Sequence, residues 1–287
     1  GDALKFIMKT KNMEFKDVII ELADQFGLEV PHSHKNSDSS IKEVKEQMLA
    51  ATMVAAEFYH DLLLRGKSSN ADIALNYLTK RGIGTDIIKK FHLGIAPKNY
   101  TTLYDELRKD FSNDILEKAG LVLKSEKGGY IDRFRDRVII PIQNENGDFV
   151  AFGARTLEKD HNPKYLNSSD SLIYNKSRLL YGLYTAKDSI KENDSVILME
   201  GYFDVISSQA HGIENCVASC GTSLTPDHVK LLSRYTKSRR IYLSFDTDSA
   251  GQKATARGAS IIKEVFAGLG NIRQFDESYV GSDNDKY

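Results

Sequence analysis

The chain has 287 residues, a formal net charge of −1, 41% hydrophobic residues and 28% charged residues. This composition is typical of a globular protein and excludes a disordered chain or one coated uniformly in positive charge. The length allows one large domain or several smaller ones. No apolar run approaches the ~20 residues that span a bilayer, and the N-terminus lacks a signal-peptide pattern. We therefore expect a cytoplasmic protein without a membrane partner.

The first forty residues predict one helix and a linker. Apolar positions recur at helical spacing within Ala3–Phe26, and Gly27 is placed to end that helix. The segment Pro31–Ser40 is rich in polar residues and predicts a linker. Its two histidines, His32 and His34, indicate a polar linker rather than a metal site.

The next hundred residues predict a helical region. Apolar residues at helical spacing predict one long helix from Ile41 to about Leu64. Asn70 is placed to cap the next helix, which directs Ile73 and Leu78 toward a core. That helix is expected to end near Arg81-Gly82. Three short helices are then expected, from Thr85, over 104–107 and over 114–119.

The pattern changes to strands after Gly128-Gly129. Apolar runs over 138–142 and 149–152 flank Asn146-Gly147, a sequence typical of a hairpin turn. Alternating elements follow, with strands over 195–199, 215–219 and 241–245 and helices over 202–211, 225–235 and 249–267. Such alternation indicates a parallel sheet flanked by helices. The expected fold class is α+β joined to α/β: a helical N-terminal subdomain with a small mixed sheet, then a Rossmann-like subdomain with a mainly parallel sheet.

The two cysteines do not indicate a metal or redox site. Cys216 and Cys220 lie in a short apolar stretch that predicts a buried strand. A tetrahedral zinc site needs more ligands than this pair supplies, and no nearby histidine completes one. We expect buried free thiols.

Two strand-like apolar runs end in acidic residues. Glu200 follows Ser195–Met199, and Asp246 and Asp248 follow Ile241–Phe245. Parallel strands expose functional groups at their carboxyl ends, so these carboxylates are expected to share one edge of the sheet. They would repel one another by roughly 4 kcal/mol per close pair at an effective dielectric near 20. A divalent cation offsets this repulsion, and Mg²⁺ keeps positions open for water and phosphate groups.

The chain around the second acidic group is basic. Between His228 and Lys263 the sequence has eight lysines and arginines and only two acidic residues, a local net charge of +6. Positive charge around an acidic centre suits a phosphate-rich substrate that is bound through metal. Taken singly, most of these residues also fit solvated helix faces.

Together these motifs resemble a known family. The segments Glu200–Asp204 and Asp246–Gly251, with Gly221-Thr222-Ser223 between them, resemble the Toprim domain of primases and topoisomerases. Four upstream segments resemble, in order, blocks of the bacterial DnaG-type primases: Phe91–Pro97, Asp132–Val138, Pro163–Ser168 and Leu180–Leu183. The resemblance covers the chain from Gly1 to about Lys263.

The resemblance implies an enzyme, a DNA-directed RNA polymerase that makes short primers on single-stranded DNA from nucleoside triphosphates. Two or more Mg²⁺ or Mn²⁺ ions would support nucleotidyl transfer. It implies that Asp246 and Asp248 hold these ions and that Glu200 completes the ligand set or accepts the proton. Asp204, one helical turn beyond Glu200, is a further catalytic candidate, although an acid in the first turn of a helix is also explained by the helix dipole.

The resemblance also implies a nucleic-acid interface. Residues that fall where the family contacts template or nucleotide are Arg81, Arg155, Lys164 and Lys176. Tyr165 is expected to stack on a base and Asn167 to bond a sugar or phosphate. If strand alternation holds, Arg133, Arg135 and Arg137 lie on one polar face, which fits a nucleic-acid groove or plain solvation.

The implied organisation is that of a central fragment. We expect a remnant over 1–37 that follows a zinc-binding domain, a first core subdomain over 38–190, a Toprim subdomain over 191–275 and a polar tail over 276–287. Zn²⁺ would belong only to the N-terminal domain outside this sequence. A replicative helicase would dock through a C-terminal domain that is also outside it. The core is expected to be monomeric.

Other functions share parts of this pattern. A Toprim-type nuclease or a DNA-binding module of recombination would use a similar sheet, but neither accounts for the upstream blocks. An Asp-x-Asp pair after an apolar strand also begins haloacid-dehalogenase phosphatases, with the first Asp as nucleophile. That reading needs a lysine and further acids well downstream, where only 39 residues follow Asp248.

Overall fold

The computed structural model describes Val18 and residues 35–65, 68–158 and 162–268, with side chains described from Ser39 onward in these ranges. The chain divides into two compact units, 1–44 and 45–287. The first predicted helix, apart from Val18, lies outside the described residues. So do His32, His34 and the polar tail.

The N-terminal half is helical, as predicted. Its helices are α1 (Lys35–Arg65), α2 (Ser69–Thr79), α3 (Thr85–Lys90), α4 (Thr102–Leu107) and α5 (Asn113–Lys118). Helix α1 buries Met48, Ala51 and Ala55, which recur at the spacing used to predict it. It begins within the predicted linker, so the linker prediction is wrong from Lys35 to Ser40.

Helix α2 begins earlier than predicted. Ser68 is its N-cap, and the Ser68 side chain accepts a hydrogen bond from the backbone N–H of Ala71. The prediction that Asn70 caps this helix is therefore wrong. Leu78 is buried as expected, but Ile73 is 52% exposed, because the face that carries Ala71 and Leu78 packs inward.

Six strands form two antiparallel sheets. They are β1 (Gly94–Ala96), β2 (Val122–Lys124), β3 (Tyr130–Asp132), β4 (Arg137–Gln143), β5 (Phe149–Thr156) and β6 (Tyr165–Asn167). Strands β1-β4-β5-β6 make one sheet in that order, and β2-β3 make a separate hairpin. The predicted β4–β5 hairpin is confirmed, and Gly147 takes the left-handed conformation in its turn, with φ +96°.

The C-terminal half alternates helices and strands as predicted. Its elements are α6 (Leu183–Asn193), β7 (Ser195–Met199), α7 (Tyr202–Ala210), β8 (Cys216–Ala218), α8 (Pro226–Leu232), β9 (Arg240–Ser244) and α9 (Ser249–Gly268). Strand β7 is central and pairs in parallel with β8 on one side and β9 on the other. The expected parallel sheet is confirmed, although α8, with seven residues, is four residues shorter than predicted.

Helix α7 belongs to the core that the two sheets share. The ring of Tyr202 lies directly on the β5 backbone at Gly153, where an added Cβ would stand 2.6 Å from ring carbons. A side chain at Gly153 would therefore push α7 away from β5. Cys216 and Cys220 are buried free thiols, as expected, and burial raises the pKa of Cys216 to about 11. Within the described ranges, no helix has the length and apolar character needed to cross a bilayer.

Candidate active site and nucleic-acid interface

The acidic residues Glu200, Asp246 and Asp248, here called the acidic edge, lie where β7 and β9 end. Because these strands are parallel neighbours, the loops that follow them leave the sheet at the same edge. The Glu200 Oε1 atom accepts a hydrogen bond of 3.0 Å from the backbone N–H of Asp246. This bond ties the two strand ends together, so the sheet brings Glu200 next to the Asp-x-Asp loop as the sequence predicts.

Asp248 also shapes the start of α9. Its Oδ1 atom accepts hydrogen bonds from the backbone N–H groups of Ala250 at 3.0 Å and Gly251 at 2.8 Å. The helix begins so close to the preceding loop that a Cβ at Gly251 would stand 1.9 Å from the carbonyl oxygen of Asp246. Only glycine allows this approach, which fixes where both aspartates leave the strand.

The donors of the acidic edge suit a hard divalent cation, because all of them are carboxylate oxygens. Glu200 and Asp248 each use one oxygen in the backbone bonds described above and keep the other for a ligand. In the described part of the chain, however, no three acidic, histidine or cysteine side chains are grouped closely enough to hold a metal ion. The donor chemistry therefore fits Mg²⁺ or Mn²⁺, whereas the side chains are not gathered into a finished coordination shell.

Asp204 has a structural task in this geometry. Its Oδ2 atom accepts a 2.9 Å hydrogen bond from the backbone N–H of Gly201, which satisfies a free donor at the start of α7. The helix-terminus explanation for this residue therefore accounts for its position without a metal.

A second group of residues, the basic–aromatic cluster, lies beside the start of α7. It consists of Tyr77, Arg81, Arg155, Tyr165 and Phe203. The Arg81 guanidinium lies 4.9 Å from the Tyr77 ring centroid and 5.0 Å from that of Phe203. Arg155 lies 5.0 Å from the Tyr77 ring, and its Nη1 atom donates to the Tyr165 hydroxyl at 3.1 Å. The structure thus brings together three residues predicted to bind nucleic acid.

Sequence reasoning missed the two rings that organise this cluster. Tyr77 lies on α2, and Arg81 follows four residues later in the turn that comes after this helix; on a helix, a spacing of four places two side chains on one face. Phe203 comes from the other half of the chain, three residues after Glu200. The helical spacing of Tyr77 was a usable signal, whereas the contact with Phe203 depends on the tertiary fold. Through Phe203 the cluster adjoins the acidic edge.

Asn167 is bonded within the protein. Its Nδ2 atom donates to the carbonyl of Cys220 at 3.3 Å, and its Oδ1 atom accepts from the Tyr202 hydroxyl at 3.0 Å. Its own carbonyl accepts from Arg133 Nη2 at 2.9 Å. The backbone N–H of Cys220 in turn donates to the carbonyl of Glu200 at 3.2 Å. Direct contact of Asn167 with a sugar or phosphate stays a prediction, but its amide joins β6 to the loop after β8.

The expectation that Arg133, Arg135 and Arg137 lie on one strand face is wrong. Strand β3 ends at Asp132 and β4 begins at Arg137, so the first two arginines lie in the connection between strands. Arg135 donates to the carbonyl of Asp132 and lies 4.9 Å from the Tyr100 ring. Arg137 is buried, and its Nη1 atom donates to the carbonyl of Lys164. The three guanidinium groups therefore donate hydrogen bonds to the carbonyls of three different residues, Asn167, Asp132 and Lys164.

The two predicted lysines serve the fold through their backbones. Lys164 is exposed, and its carbonyl accepts from Thr156 N–H at 3.1 Å. The carbonyl of Lys176 lies 2.9 Å from Nε2 of buried His228, whose Nδ1 lies 3.3 Å from Thr225 N–H. These partners require a neutral imidazole that donates from Nε2 and accepts at Nδ1. In the described ranges, neither lysine ammonium has an ion-pair partner.

Comparison with known proteins agrees with this architecture. The family model for the N-terminal domain of the DNA primase catalytic core matches residues 58–187, and a Toprim-like model matches residues 197–285. The DNA primase of Synechococcus elongatus is 38% identical over an alignment of 296 positions, which covers 100% of this chain and 42% of the relative. The chain thus spans about two fifths of that relative's length.

Solved structures give the same result. The RNA polymerase domain of Mycobacterium tuberculosis primase DnaG superposes with a TM-score of 0.69 and 35% identity, over 75% of this chain and 71% of that one. A DnaG primase catalytic domain bound to single-stranded DNA gives 0.70 and 34%, over 77% and 69% of the two chains. The fold and the acidic edge define a Toprim-containing catalytic core. The chain belongs to the DnaG-type DNA primase family.

Proposed function

We propose that this chain is the catalytic core of a DNA primase, which synthesises short RNA primers on single-stranded DNA by metal-dependent nucleotidyl transfer. The single observation that carries the proposal is the placement of the basic–aromatic cluster beside the acidic edge. Phe203 packs against Arg81 and follows Glu200 by three residues, so a polyanion bound by the cluster is led toward the carboxylates.

The acidic edge is the proposed site of catalysis. Glu200, Asp246 and Asp248 would hold two Mg²⁺ or Mn²⁺ ions through their carboxylate oxygens. When bound, such ions lower the pKa of an attacking hydroxyl and offset the negative charge of a triphosphate. The bond from Asp246 N–H to Glu200 sets the spacing between the two strand ends. Asp204 acts indirectly, because it caps the helix that follows Glu200.

Template and nucleotide would be held by the basic and aromatic side chains. Arg81, Arg155, Lys164 and Lys176 supply charge for phosphate groups, which gives affinity without reading sequence. Tyr165 offers a partly exposed ring that can stack on a base. The related DnaG catalytic domain bound to single-stranded DNA supports this choice of partner.

The wider setting is also a proposal. A cytoplasmic replication protein with a zinc-binding domain and a helicase-binding domain outside these residues agrees with the share of the relatives that the chain spans. We propose that the core itself is monomeric.

Primer synthesis is tested by incubating the protein with single-stranded template, labelled nucleoside triphosphates and Mg²⁺ or Mn²⁺. Labelled short RNA is the expected product, and cut template or released phosphate would instead indicate a nuclease or a phosphatase. Asp246→Asn and Asp248→Asn should each abolish product while leaving single-stranded DNA binding intact. Glu192→Gln, an exposed acid on α6, is the matched control. Full primer synthesis by either aspartate variant would overturn the proposed site.

A further inference from the structure

The first turn of α8 holds the connection between β6 and α6, residues 168–182, here called the lysine loop. The carbonyl of Lys176 lies 2.9 Å from Nε2 of His228, and the carbonyl of Ser177 accepts a 2.7 Å hydrogen bond from Thr225 Oγ1. Both side chains also form the capping box of α8, in which Thr225 Oγ1 accepts from the backbone N–H of His228 at 3.1 Å. The same two residues therefore begin the helix and fix the lysine loop.

Lys176 is the residue of the lysine loop that is held most fully. Its backbone N–H donates to Asp170 Oδ1 at 3.0 Å, and its carbonyl meets His228, so side chains from two parts of the fold fix both of its backbone polar groups. The Lys176 side chain is half-buried, and among the described residues its ammonium has no ion-pair partner. The backbone is thus fixed, while the ammonium remains available to a ligand.

The imidazole of His228 is the buried part of this arrangement and has no exposed surface. Its Nδ1 lies 3.3 Å from the Thr225 N–H, so a neutral ring accepts there and donates from Nε2 to the Lys176 carbonyl. An imidazolium carries a proton on both nitrogens, and its Nδ1–H would face the Thr225 N–H as an opposed donor. Protonation therefore breaks the capping box and displaces the hydroxyl that holds Ser177.

We propose that His228 is a positioning residue for phosphate binding: the neutral imidazole holds the lysine loop so that the Lys176 ammonium reaches a phosphate group, and protonation releases that hold. This inference rests on the proposed function, in which Lys176 binds template or nucleotide. It adds the group that places Lys176, and it makes that placement depend on pH. The phosphate belongs either to single-stranded DNA or to a nucleoside triphosphate, and titration with each ligand separates the two.

The surroundings of His228 set the pH range of this dependence. Burial lowers its pKa below the ordinary 6.5, and the Lys176 carbonyl and the Asp227 carboxylate oppose that shift only in part. Asp227 is itself paired with Arg178 at 3.1 Å and lies 3.9 Å from Lys230. The hold is therefore complete above about pH 6.5 and is lost as pH falls below that value. Other histidines gain charge over the same range, which strengthens binding of a polyanion, so a loss of affinity has the opposite sign.

The test measures the affinity of the chain for a labelled single-stranded DNA oligonucleotide and for ATP with Mg²⁺, at pH 7.5 and 5.5. At pH 7.5, Lys176→Ala should weaken binding of one or both ligands roughly 3- to 10-fold, the range expected when one hydrogen bond to phosphate is lost. His228→Leu should cause a similar loss. Adding it to Lys176→Ala should cost nothing further, because both changes remove the same contact. The ligand that shows the loss identifies the source of the phosphate.

The His228→Gln variant separates position from charge. Its amide can donate to the Lys176 carbonyl in place of Nε2, and it does not titrate. This variant should keep most of its affinity at both pH values, whereas the wild type at pH 5.5 should lose its advantage over Lys176→Ala. Leu231→Ala is the matched control, because it truncates a buried side chain of the same helix that cannot hydrogen-bond to the lysine loop.

The proposal is overturned if Lys176→Ala or folded His228→Leu binds both ligands as the wild type does, if their losses multiply in the double variant, or if Leu231→Ala loses as much affinity. It is also overturned if His228→Gln shows the wild-type response to pH, an outcome that can be read even where His228→Leu does not fold. A chain that shows the expected coupling but makes no RNA would keep the role of His228 and remove the primase function. A chain that makes RNA while the two losses multiply would keep the primase function and remove the role of His228.

Discussion

Replacing Asn167 by alanine removes two hydrogen bonds that join β6 to α7 and to the loop after β8. The lost bonds are the 3.0 Å bond from the Tyr202 hydroxyl and the 3.3 Å bond to the Cys220 carbonyl. Tyr202 is only 3% exposed, and burial raises the pKa of its hydroxyl well above the usual value, so this group remains a protonated donor. In the variant that donor has no protein partner.

The size of the effect follows from these contacts. An unpaired buried hydroxyl costs about 1–3 kcal/mol, and an ordinary hydrogen bond contributes about 0.5–1.5 kcal/mol. The Asn167→Ala variant should therefore lose about 2–4 kcal/mol of its free energy of unfolding. For a domain of this size the loss lowers Tm by roughly 5–15 °C. Thermal unfolding followed by circular dichroism measures it, with Asn76→Ala on the exposed side of α2 as the control.

A double-mutant cycle separates the bond from other effects of truncation. Tyr202→Phe removes the same hydroxyl, so combining it with Asn167→Ala should cost about 1 kcal/mol less than the sum of the single changes. Strictly additive losses would refute the proposed link. Single-stranded DNA binding by the same variants settles the other expectation for this residue. Equal losses of DNA affinity in both single variants would mean that Asn167 affects binding only through its hydrogen bond to Tyr202. A loss confined to Asn167→Ala would assign a direct contact between Asn167 and the DNA.

Two further predictions concern a buried imidazole and a close backbone approach. Burial lowers the pKa of His228 below its ordinary 6.5, so the unfolded chain takes up the proton first as pH falls. The stabilisation from neutral His228 is complete above about pH 6.5 and is lost as pH falls below that value. Urea unfolding at pH 7.5 and 5.5 should therefore show a smaller drop for His228→Gln than for wild type, and equal drops would contradict this. Gly251→Ala should cost about 1–3 kcal/mol by overpacking against Asp246 and should abolish RNA synthesis, because the first turn of α9 must move. Gly84→Ala, with nothing within 4 Å of the added Cβ, is the control, and an equal loss of Tm in both variants would contradict the steric explanation.

The parallel unit followed from sequence almost element by element, for a physical reason. Strands β7 and β9 are short apolar runs, each followed by a polar loop and a helix, and both expected spans lie within one residue of the observed ones. Helix α6 was missed because its N-cap is Gly182, which has no side chain to mark the start of the helix. Its buried positions Leu183 and Ile190 do recur at helical spacing, so the signal was present in the pattern.

The three-residue strands of the antiparallel sheets could not be found in the same way. The β2–β3 hairpin pairs Val122–Lys124 with Tyr130–Asp132, and Leu123 within it is 39% exposed. Three residues do not establish a period, and an exposed apolar side chain weakens the alternation that remains. The failed expectation for Arg133 and Arg135 has the same origin, since the end of β3 was invisible to a periodicity argument.

In the candidate site, too, local sequence patterns predicted some residues, whereas others depend on tertiary contacts. Glu200, Asp246 and Asp248 are recognisable because they lie within four residues of a strand end, and strand direction alone places them at one edge. The pairing of Arg81 with Phe203 joins residues more than a hundred positions apart, which no local pattern encodes. The role of Asp204 at the start of α7 is local, and the rule that acidic residues favour the first turn of a helix anticipated it.

The first turn of α7 explains why the acidic edge needs the helical half of the chain. Consecutive residues in this turn contact three neighbours: Tyr202 donates a hydrogen bond to β6, Phe203 packs against the Tyr77 ring of α2, and Asp204 accepts from the N–H of Gly201. Glu200 comes directly before this turn, so its backbone direction is set by contacts with both the antiparallel sheet and α2. A change in either neighbour is therefore expected to move a carboxylate of the acidic edge. The basic–aromatic cluster would then help to position the proposed metal-binding side chains in addition to its proposed role as a surface for nucleic acid.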